Sequence, residues 1–349
     1  DGRHYSKPAL STGFAMAKTA DELVTELPLD RANRLNIRII THCTVERIDN
    51  KAKCLITNIG QQAFGQLVLA QGAQPIKLNF LGDASDQVIS VNDLQDYRQY
   101  RKRLEGKERV LLIGNGLIGC EFANDLAAAG KKVDLVGLTS WPMDRLLPEE
   151  IGIELKKSLE SIGVSFWLKN TVATINYTNK VNCEGGFDVT LNSGEQISVD
   201  VIVCAVGLQA RTKLAMNAGI TCGVGIKTDD RLMTNVPHVY ALGDCVEFNG
   251  QLQPYIAPIY WGVQALSHTL VGDNTCVSYP AMTVVVKTPV CPITLLSPPR
   301  GTQGLWQIEK LAQGMIGRFV DDQNCLQGFV LQGSACDQRQ QLIDELASN

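Results

Sequence analysis

The composition of this 349-residue chain is that of a globular protein: 45% of the residues are hydrophobic, 19% are charged, and the formal net charge is −4. This length suits two or three domains. The small negative charge argues against general binding to nucleic acid. No apolar run approaches the ~20 residues of a membrane-spanning helix. We therefore expect neither nucleic acid nor a membrane as a partner.

The eleven cysteines are scattered and form no C-x-x-C pair. This pattern predicts buried thiols in a reducing cytoplasm, not a disulfide framework or a zinc site. The four histidines share no spacing typical of metal ligands. We therefore predict a cytoplasmic protein without a metal site.

A short apolar strand that runs into a glycine turn is predicted twice, at residues 67–75 and at residues 201–210. Between them, residues 97–103 combine tyrosines with arginines and a lysine. They predict a helix with a solvated basic face, and a docking patch for an acidic electron carrier is the alternative.

Residues 109–136 predict a buried strand, a glycine-rich turn, a helix from about residue 119 to residue 129, and a second buried strand. The turn carries G-x-G-x-x-G as Gly114, Gly116 and Gly119. In this context the first glycine permits the tight turn, the second lets the backbone approach a pyrophosphate, and the third lets helix and strand pack closely. The N-terminus of the helix offers unpaired N–H groups to the phosphates. The sequence therefore predicts a dinucleotide site on these three glycines.

The end of the second strand normally decides between the two nicotinamide nucleotides. An acidic residue there binds the adenosine ribose of NAD, and an arginine accepts the 2′-phosphate of NADP. This chain has Gly137-Leu-Thr-Ser140 at that place. The residues themselves therefore encode the preference poorly.

The rest of the chain alternates predicted helices and strands, and residues 234–244 end in a Gly-Asp turn after a buried strand. The other predicted elements are a helix at 148–162, a strand at 164–168, a hairpin around 192–194, a helix at 257–271, strands at 305–309, 315–320 and 326–331, and a helix at 337–346.

Four segments together resemble the rubredoxin–NAD(+) reductase and flavorubredoxin reductase family of FAD-dependent pyridine nucleotide-disulfide oxidoreductases. They are Tyr-Ser-Lys-Pro-Ala-Leu-Ser at residues 5–11, the glycine motif and helix at 114–125, Thr…Tyr-Ala-Leu-Gly-Asp at 234–244, and Val-Lys-Thr-Pro at 286–289. The resemblance runs from residue 1 to about residue 346.

This resemblance implies an α/β fold with two Rossmann-like dinucleotide-binding domains and a small α+β C-terminal domain. The FAD domain would comprise residues 1–84 and 213–281, the NAD domain residues 85–212, and the C-terminal domain residues 282–349. It also implies that the first βαβ element of the FAD domain, with its own glycine motif, precedes residue 1.

The resemblance further implies which residues bind the flavin. Asp244 would contact the ribityl chain, and Lys7 would lie near N5 and pair with Glu121, which makes these two the candidate catalytic residues. A fixed Lys7–Glu121 pair would hold positive charge beside the flavin. By themselves, Lys7 would be a surface lysine and Glu121 a carboxylate favoured by the helix dipole. The implied FAD-binding set is Lys7, Val45, Glu121, Asp244, Ile256 and Lys287.

Two positions separate the subclasses of this superfamily. Where disulfide reductases carry a cysteine four residues before the lysine, this chain has Arg3, and where NADH peroxidases and oxidases carry Leu-Ser-Cys-Gly, it has Thr12. The resemblance therefore implies that electrons pass from NADH through FAD directly to rubredoxin or a rubredoxin domain. A ferredoxin reductase of an oxygenase and a non-catalytic flavin-binding redox sensor remain alternatives, as do a monomer and a dimer.

Overall fold

The fold is taken from a computed structural model, which describes residues 1–178 and 185–348. The first twelve strands are β1 (His4–Tyr5), β2 (Val24–Glu26), β3 (Val45–Asp49), β4 (Cys54–Thr57), β5 (Gly60–Ala63), β6 (Leu67–Leu69), β7 (Ala73–Pro75), β8 (Arg109–Ile113), β9 (Lys132–Gly137), β10 (Val164–Leu168), β11 (Val172–Tyr177) and β12 (Phe187–Leu191).

The later strands are β13 (Gln196–Val199), β14 (Val201–Cys204), β15 (Leu208–Ala210), β16 (Ile226–Lys227), β17 (Val239–Ala241), β18 (Val246–Phe248), β19 (Gln251–Leu252), β20 (Val284–Val286), β21 (Ile293–Leu296), β22 (Leu305–Leu311), β23 (Gly314–Val320) and β24 (Leu326–Gly333). The α-helices are α1 (Pro28–Leu35), α2 (Leu94–Leu104), α3 (Leu117–Ala128), α4 (Glu149–Ser161), α5 (Lys213–Asn217), α6 (Ile256–Leu270) and α7 (Arg339–Ser348).

The chain divides into two compact units, each built from separated segments. The first unit consists of Asp1–His4, Glu26–Ile76 and Leu208–Met282, and the second of Tyr5–Thr25, Lys77–Gly207 and the chain from Thr283 onward. Within the described residues, no helix is long and apolar enough to cross a bilayer.

The second unit contains a four-stranded parallel sheet in the order β10-β9-β8-β14. Its central strand β8 reads Arg-Val-Leu-Leu-Ile, and its last four residues are buried, as a strand covered on both faces requires. The glycine turn joins β8 to α3, which begins two residues before its predicted start. The strand predicted at 164–168 is β10, and the helix predicted at 148–162 is α4.

The C-terminal residues form a five-stranded antiparallel sheet in the order β20-β21-β24-β23-β22. Because side chains alternate along each strand, the sheet has two apolar faces. Ile293 and Met315 join the core that contains α3 and α4. Ile316 and Phe329 instead pack in a separate core with Leu342 of α7. This part is therefore continuous in packing with the parallel sheet.

The segment Tyr5–Thr25 packs within the second unit, although the predicted domain division assigned it to the FAD domain. The ring of Phe14 meets that of Tyr100 edge-on at 5.8 Å, and the Tyr97 hydroxyl donates to the Lys18 carbonyl at 2.9 Å. These tyrosines lie on the buried face of α2, whereas Lys102 and Arg103 are exposed and the Arg101 guanidinium lies 4.9 Å over the Phe14 ring. The three-domain division as a whole stays a prediction.

The first unit is a group of small sheets around one apolar core. Strands β6 and β17 pair in parallel, and β3, β4 and β5 form an antiparallel meander. The core contains Leu69 and Tyr240 together with Ala265 and Leu266 of α6. The helix predicted at 257–271 is α6, whose ends each lie one residue from the predicted ends.

Candidate functional site

The three glycines of the turn after β8 each meet a different steric demand. Gly114 has φ +114°, and a Cβ there would lie 2.6 Å from the carbonyl oxygen of Ala205. A Cβ on Gly119 would lie 1.8 Å from the Gly114 oxygen, so helix and turn touch at this point. A Cβ on Gly116 would meet nothing within 4 Å, and no side chain caps α3. The turn therefore leaves open backbone and unpaired N–H groups, which is the arrangement that a pyrophosphate needs.

Asn115 ties the loop after β9 to this glycine turn. Its Nδ2 donates to the Thr139 hydroxyl at 2.7 Å and to the Trp141 carbonyl at 3.3 Å. Its own carbonyl accepts from the backbone N–H of Met143 at 2.9 Å. The side chain of Asn115 is buried against Gly137, the last residue of β9. Sequence reasoning missed Asn115, because the residue between the first two glycines carries no motif signal.

A buried carboxylate on the first turns of α3 is the centre of a second group of polar contacts. Glu121 is 1% exposed and forms an ion pair with Lys287, whose Nζ lies 2.7 Å from its Oε2. The Ser11 hydroxyl donates to the same oxygen at 2.7 Å, and the Lys287 backbone N–H donates to Oε1 at 3.0 Å. Three donors thus satisfy the carboxylate, as a buried charge requires.

The ammonium group of Lys287 is held by three oxygen atoms. Besides Glu121, Nζ donates to the Pro8 carbonyl at 2.7 Å and to the Ser11 hydroxyl at 2.6 Å. The lysine side chain is 31% exposed, whereas its carboxylate partner is almost fully enclosed. The charge is therefore fixed in position on a side chain that is itself partly exposed.

Lys287 pairs with Glu121, a contact that the sequence analysis missed, and the predicted Lys7–Glu121 pair stays a prediction. Lys7 begins the 3-10 turn that ends at Ser11. Lys7 is partly exposed.

One turn further along α3, Asp125 is buried and accepts the backbone N–H groups of Phe14 and Ala15 at 3.0 and 2.9 Å. Burial raises the pKa of Asp125 to about 6, although these two hydrogen bonds oppose the shift. The neighbouring Asn124 accepts from the Val290 backbone N–H at 3.3 Å. This face of α3 therefore fixes the chain segments that carry Ser11 and Lys287.

The remaining predicted flavin contacts lie in the first unit. Asp244 follows Gly243, which has φ +81° at the end of β17. Ile256 is the first residue of α6, and no side chain caps this helix. Val45 is the first residue of β3 and is partly buried.

Gln253 is a polar residue of this unit that sequence reasoning missed, because a glutamine in a loop carries no motif signal. Its Oε1 is buried and accepts no hydrogen bond from the described residues. It lines a cavity of about 20 Å³ together with Gly243 and Pro258, which is roughly the space of one water molecule.

The cysteines nearest these motifs are poor candidates for chemistry. Burial raises the pKa of the Cys120 thiol far above its usual range, and it raises the pKa of Cys245 as well. A protonated, enclosed thiol is a poor nucleophile. Among the described residues, no group of histidines, cysteines and carboxylates could hold a metal ion.

Comparison with known proteins decides the family. Residues 1–264 match the family model of the pyridine nucleotide-disulphide oxidoreductases. The chain belongs to this family. Residues 276–346 match a second model, that of the rubredoxin binding C-terminal domain, so the predicted family resemblance is confirmed for nearly the whole chain.

Two relatives and one solved structure illustrate the similarity. The rubredoxin-NAD(+) reductase of Alcanivorax borkumensis is 38% identical over 99% of this chain and 90% of its own length. The nitric oxide reductase FlRd-NAD(+) reductase of Aeromonas hydrophila is 36% identical over 95% and 84%. The ferredoxin reductase for the CYP199A2 system from Rhodopseudomonas palustris superposes with a TM-score of 0.86 at 22% identity, covering 97% of this chain and 84% of that one. The α/β fold class is thereby confirmed.

Proposed function

We propose that this protein is an NADH-dependent FAD reductase that delivers electrons to rubredoxin or to a rubredoxin domain. The observation that carries the proposal is the match of residues 276–346 to the rubredoxin binding C-terminal domain, on a chain whose first 264 residues match the reductase family. The matched C-terminal residues include the five-stranded sheet and most of α7. Relatives named for rubredoxin and flavorubredoxin reduction align over nearly the whole chain.

When bound, FAD takes a hydride from NADH and releases the electrons one at a time, so the protein has to orient the reactants and tune their electrostatics. Gly116 and the open start of α3 would bind the pyrophosphate of NADH. The ammonium group of Lys287 supplies a positive charge next to α3, and its contacts with Ser11 and Glu121 hold that charge in position. In this proposal Lys7 and Lys287 lie beside the flavin.

The other proposed flavin contacts keep their predicted roles. Asp244 would bind the ribityl chain through its carboxylate. The uncapped backbone at Ile256 and the backbone at Val45 would offer hydrogen bonds. Gln253, whose buried Oε1 accepts no hydrogen bond from the described residues, lines the same small cavity as Gly243.

No thiol step is part of the proposal. Cys120 and Cys245 are enclosed, and the raised pKa values keep both thiols protonated at neutral pH. All cysteines in the described part of the chain are free, which is also the basis for proposing a cytoplasmic location.

The ferredoxin-reductase alternative has weaker support. The similar ferredoxin reductase structure is 22% identical, and such a likeness establishes the fold and nothing about the carrier. The redox-sensor alternative predicts no sustained turnover.

A carrier assay separates the three functions. The flavin-loaded protein is mixed with NADH and either rubredoxin or a [2Fe–2S] ferredoxin, and reduction of each carrier is followed by absorbance. Our proposal expects fast, sustained reduction of rubredoxin, with the ferredoxin at least about tenfold slower. Preference for ferredoxin would favour the first alternative, and absence of turnover with both carriers would favour the sensor.

A matched pair of variants tests the nucleotide site in the same assay. Gly116→Asp fills open space and places a negative charge where the pyrophosphate would bind, so KM for NADH should rise at least about tenfold, or 1.4 kcal/mol. Gly65→Asp adds the same charge at an exposed glycine that also has free space around it. This control should leave KM unchanged.

A further inference from the structure

We propose that Asn115 sets the nucleotide specificity of this protein, because its Oδ1 replaces the missing acidic residue as the acceptor for the adenosine ribose. The inference rests on the proposed NADH-dependent function and concerns the same site. The sequence left the preference between NADH and NADPH open, since residues 137–140 contain neither an acidic nor a basic residue.

The acidic residue that binds the adenosine ribose has a fixed position in units of this kind. In a dinucleotide-binding βαβ unit, the acid that binds the ribose 2′-hydroxyl stands at the end of the second strand. Here that strand is β9, and its last residue is Gly137. The backbone of Gly137 does not adopt a positive φ, so its conformation alone would tolerate a side chain.

Another side chain, that of Asn115, already fills the space beside Gly137. A Cβ on Gly137 would lie 2.2 Å from Cγ and 2.4 Å from Oδ1 of Asn115. Such distances are far inside van der Waals contact. Glycine at residue 137 and asparagine at residue 115 are therefore a complementary pair, and the amide oxygen lies where an acid at residue 137 would begin.

Hydrogen bonds fix the orientation of the Asn115 side-chain amide. Nδ2 is used twice, by the Thr139 hydroxyl and by the Trp141 carbonyl. With the donor end fixed in this way, Oδ1 is the acceptor that faces Gly137. Asn115 is 7% exposed, so the oxygen is held in place before any nucleotide binds.

The chemistry of an amide oxygen predicts a moderate preference. It accepts a hydrogen bond from a ribose hydroxyl, whereas a 2′-phosphate brings only acceptor oxygens and leaves it unpaired. A buried acceptor left unpaired weakens binding about 5- to 150-fold. A carboxylate would discriminate more strongly, because it would also repel the phosphate by charge.

The test is a direct binding measurement that needs no turnover. The flavin-loaded protein is titrated with ADP-ribose and with 2′-phospho-ADP-ribose in a calorimeter, so that the flavin's own site is filled. The wild-type protein should bind ADP-ribose about 5- to 150-fold more tightly. Tighter binding of the phosphorylated probe would overturn the inference and point instead to Arg145, the first basic residue after β9.

Three variants make the test specific. Asn115→Ala should bring the ratio of the two dissociation constants close to one. Gly137→Asp alone should bind both probes poorly, because the new side chain collides with Asn115. The double variant Asn115→Ala/Gly137→Asp should recover binding of ADP-ribose, and its ratio should exceed that of the wild type. An unchanged ratio in Asn115→Ala, or no recovery in the double variant, would refute the role of Asn115.

The outcome is separable from that of the proposed function. If neither probe binds to the wild type, the nicotinamide-nucleotide site itself is wrong. If both bind and the variants leave their ratio unchanged, only the assignment to Asn115 fails.

Discussion

Removing the ammonium group of Lys287 should destabilise the protein more than removing the charge of Glu121. Lys287→Met removes the ion-pair partner of a carboxylate that is 1% exposed and leaves it the Ser11 hydroxyl and one backbone N–H as neutral donors. Loss of one partner from such a buried pair costs about 3–5 kcal/mol. Glu121→Gln leaves the ammonium group with two oxygen partners on a side chain that is 31% exposed, so we expect a cost of about 1–3 kcal/mol.

The free energy of unfolding of the double variant tests whether the two residues are coupled. Glu121→Gln/Lys287→Met leaves neither charge buried without a partner, so its cost should be smaller than the sum of the two single costs by about 2 kcal/mol or more. Additive costs would mean that the pair is not coupled and would refute this account of the site.

The assay is calorimetric melting of the protein stripped of flavin, so that altered flavin binding does not contribute. For a unit of 150–250 residues, about 2–4 °C of melting temperature corresponds to 1 kcal/mol. Lys287→Met should therefore lower the melting temperature of its unit by roughly 6–20 °C. Lys310→Met, which removes an exposed lysine from β22 of the same unit, is the control and should change the melting temperature by less than about 2 °C.

Two further predictions concern Asp125 and the thiols. The native pKa of Asp125, about 6, lies above the ordinary value of 3.8, so its contribution to stability is complete below pH 3.8 and is lost as the pH rises through 6. Relative to Asp125→Asn, the wild type should lose up to about 3 kcal/mol between pH 4 and pH 7 in denaturant unfolding, and parallel pH profiles of the two proteins would contradict the burial argument. Alkylation of the folded protein should modify the exposed Cys276 and leave NADH-to-rubredoxin transfer within about twofold, whereas loss of activity with flavin still bound would indicate a thiol relay.

The sequence was sufficient for the elements that local patterns determine. The βαβ unit from Arg109 to Gly137 was predictable because apolar strands and three glycines lie within one short stretch. Helices α4 and α6 and strand β10 were placed to within one residue, since their apolar periodicity ends at turns.

Contacts between distant segments were not predictable in the same way. Lys287 and Glu121 are 166 residues apart, and the motifs predicted Lys287 as a flavin contact without predicting that it pairs with Glu121. The packing of Tyr5–Thr25 against α2 and α3 depends on tertiary contacts of Phe14 and Asp125. The contact between Asn115 and Gly137 depends on how closely a turn and a strand end approach, which no periodicity encodes.

The most direct test of electron delivery to rubredoxin is a pre-steady-state measurement of electron transfer to that carrier. The flavin-loaded protein, first reduced with one equivalent of NADH, is mixed in a stopped-flow instrument with two equivalents of rubredoxin. We expect both equivalents of rubredoxin to be reduced within the time of one steady-state turnover, and we expect prior alkylation of the protein to leave the rate within about twofold. If rubredoxin stays oxidised while the same reduced protein reduces a disulfide substrate added in its place, direct transfer to rubredoxin is contradicted.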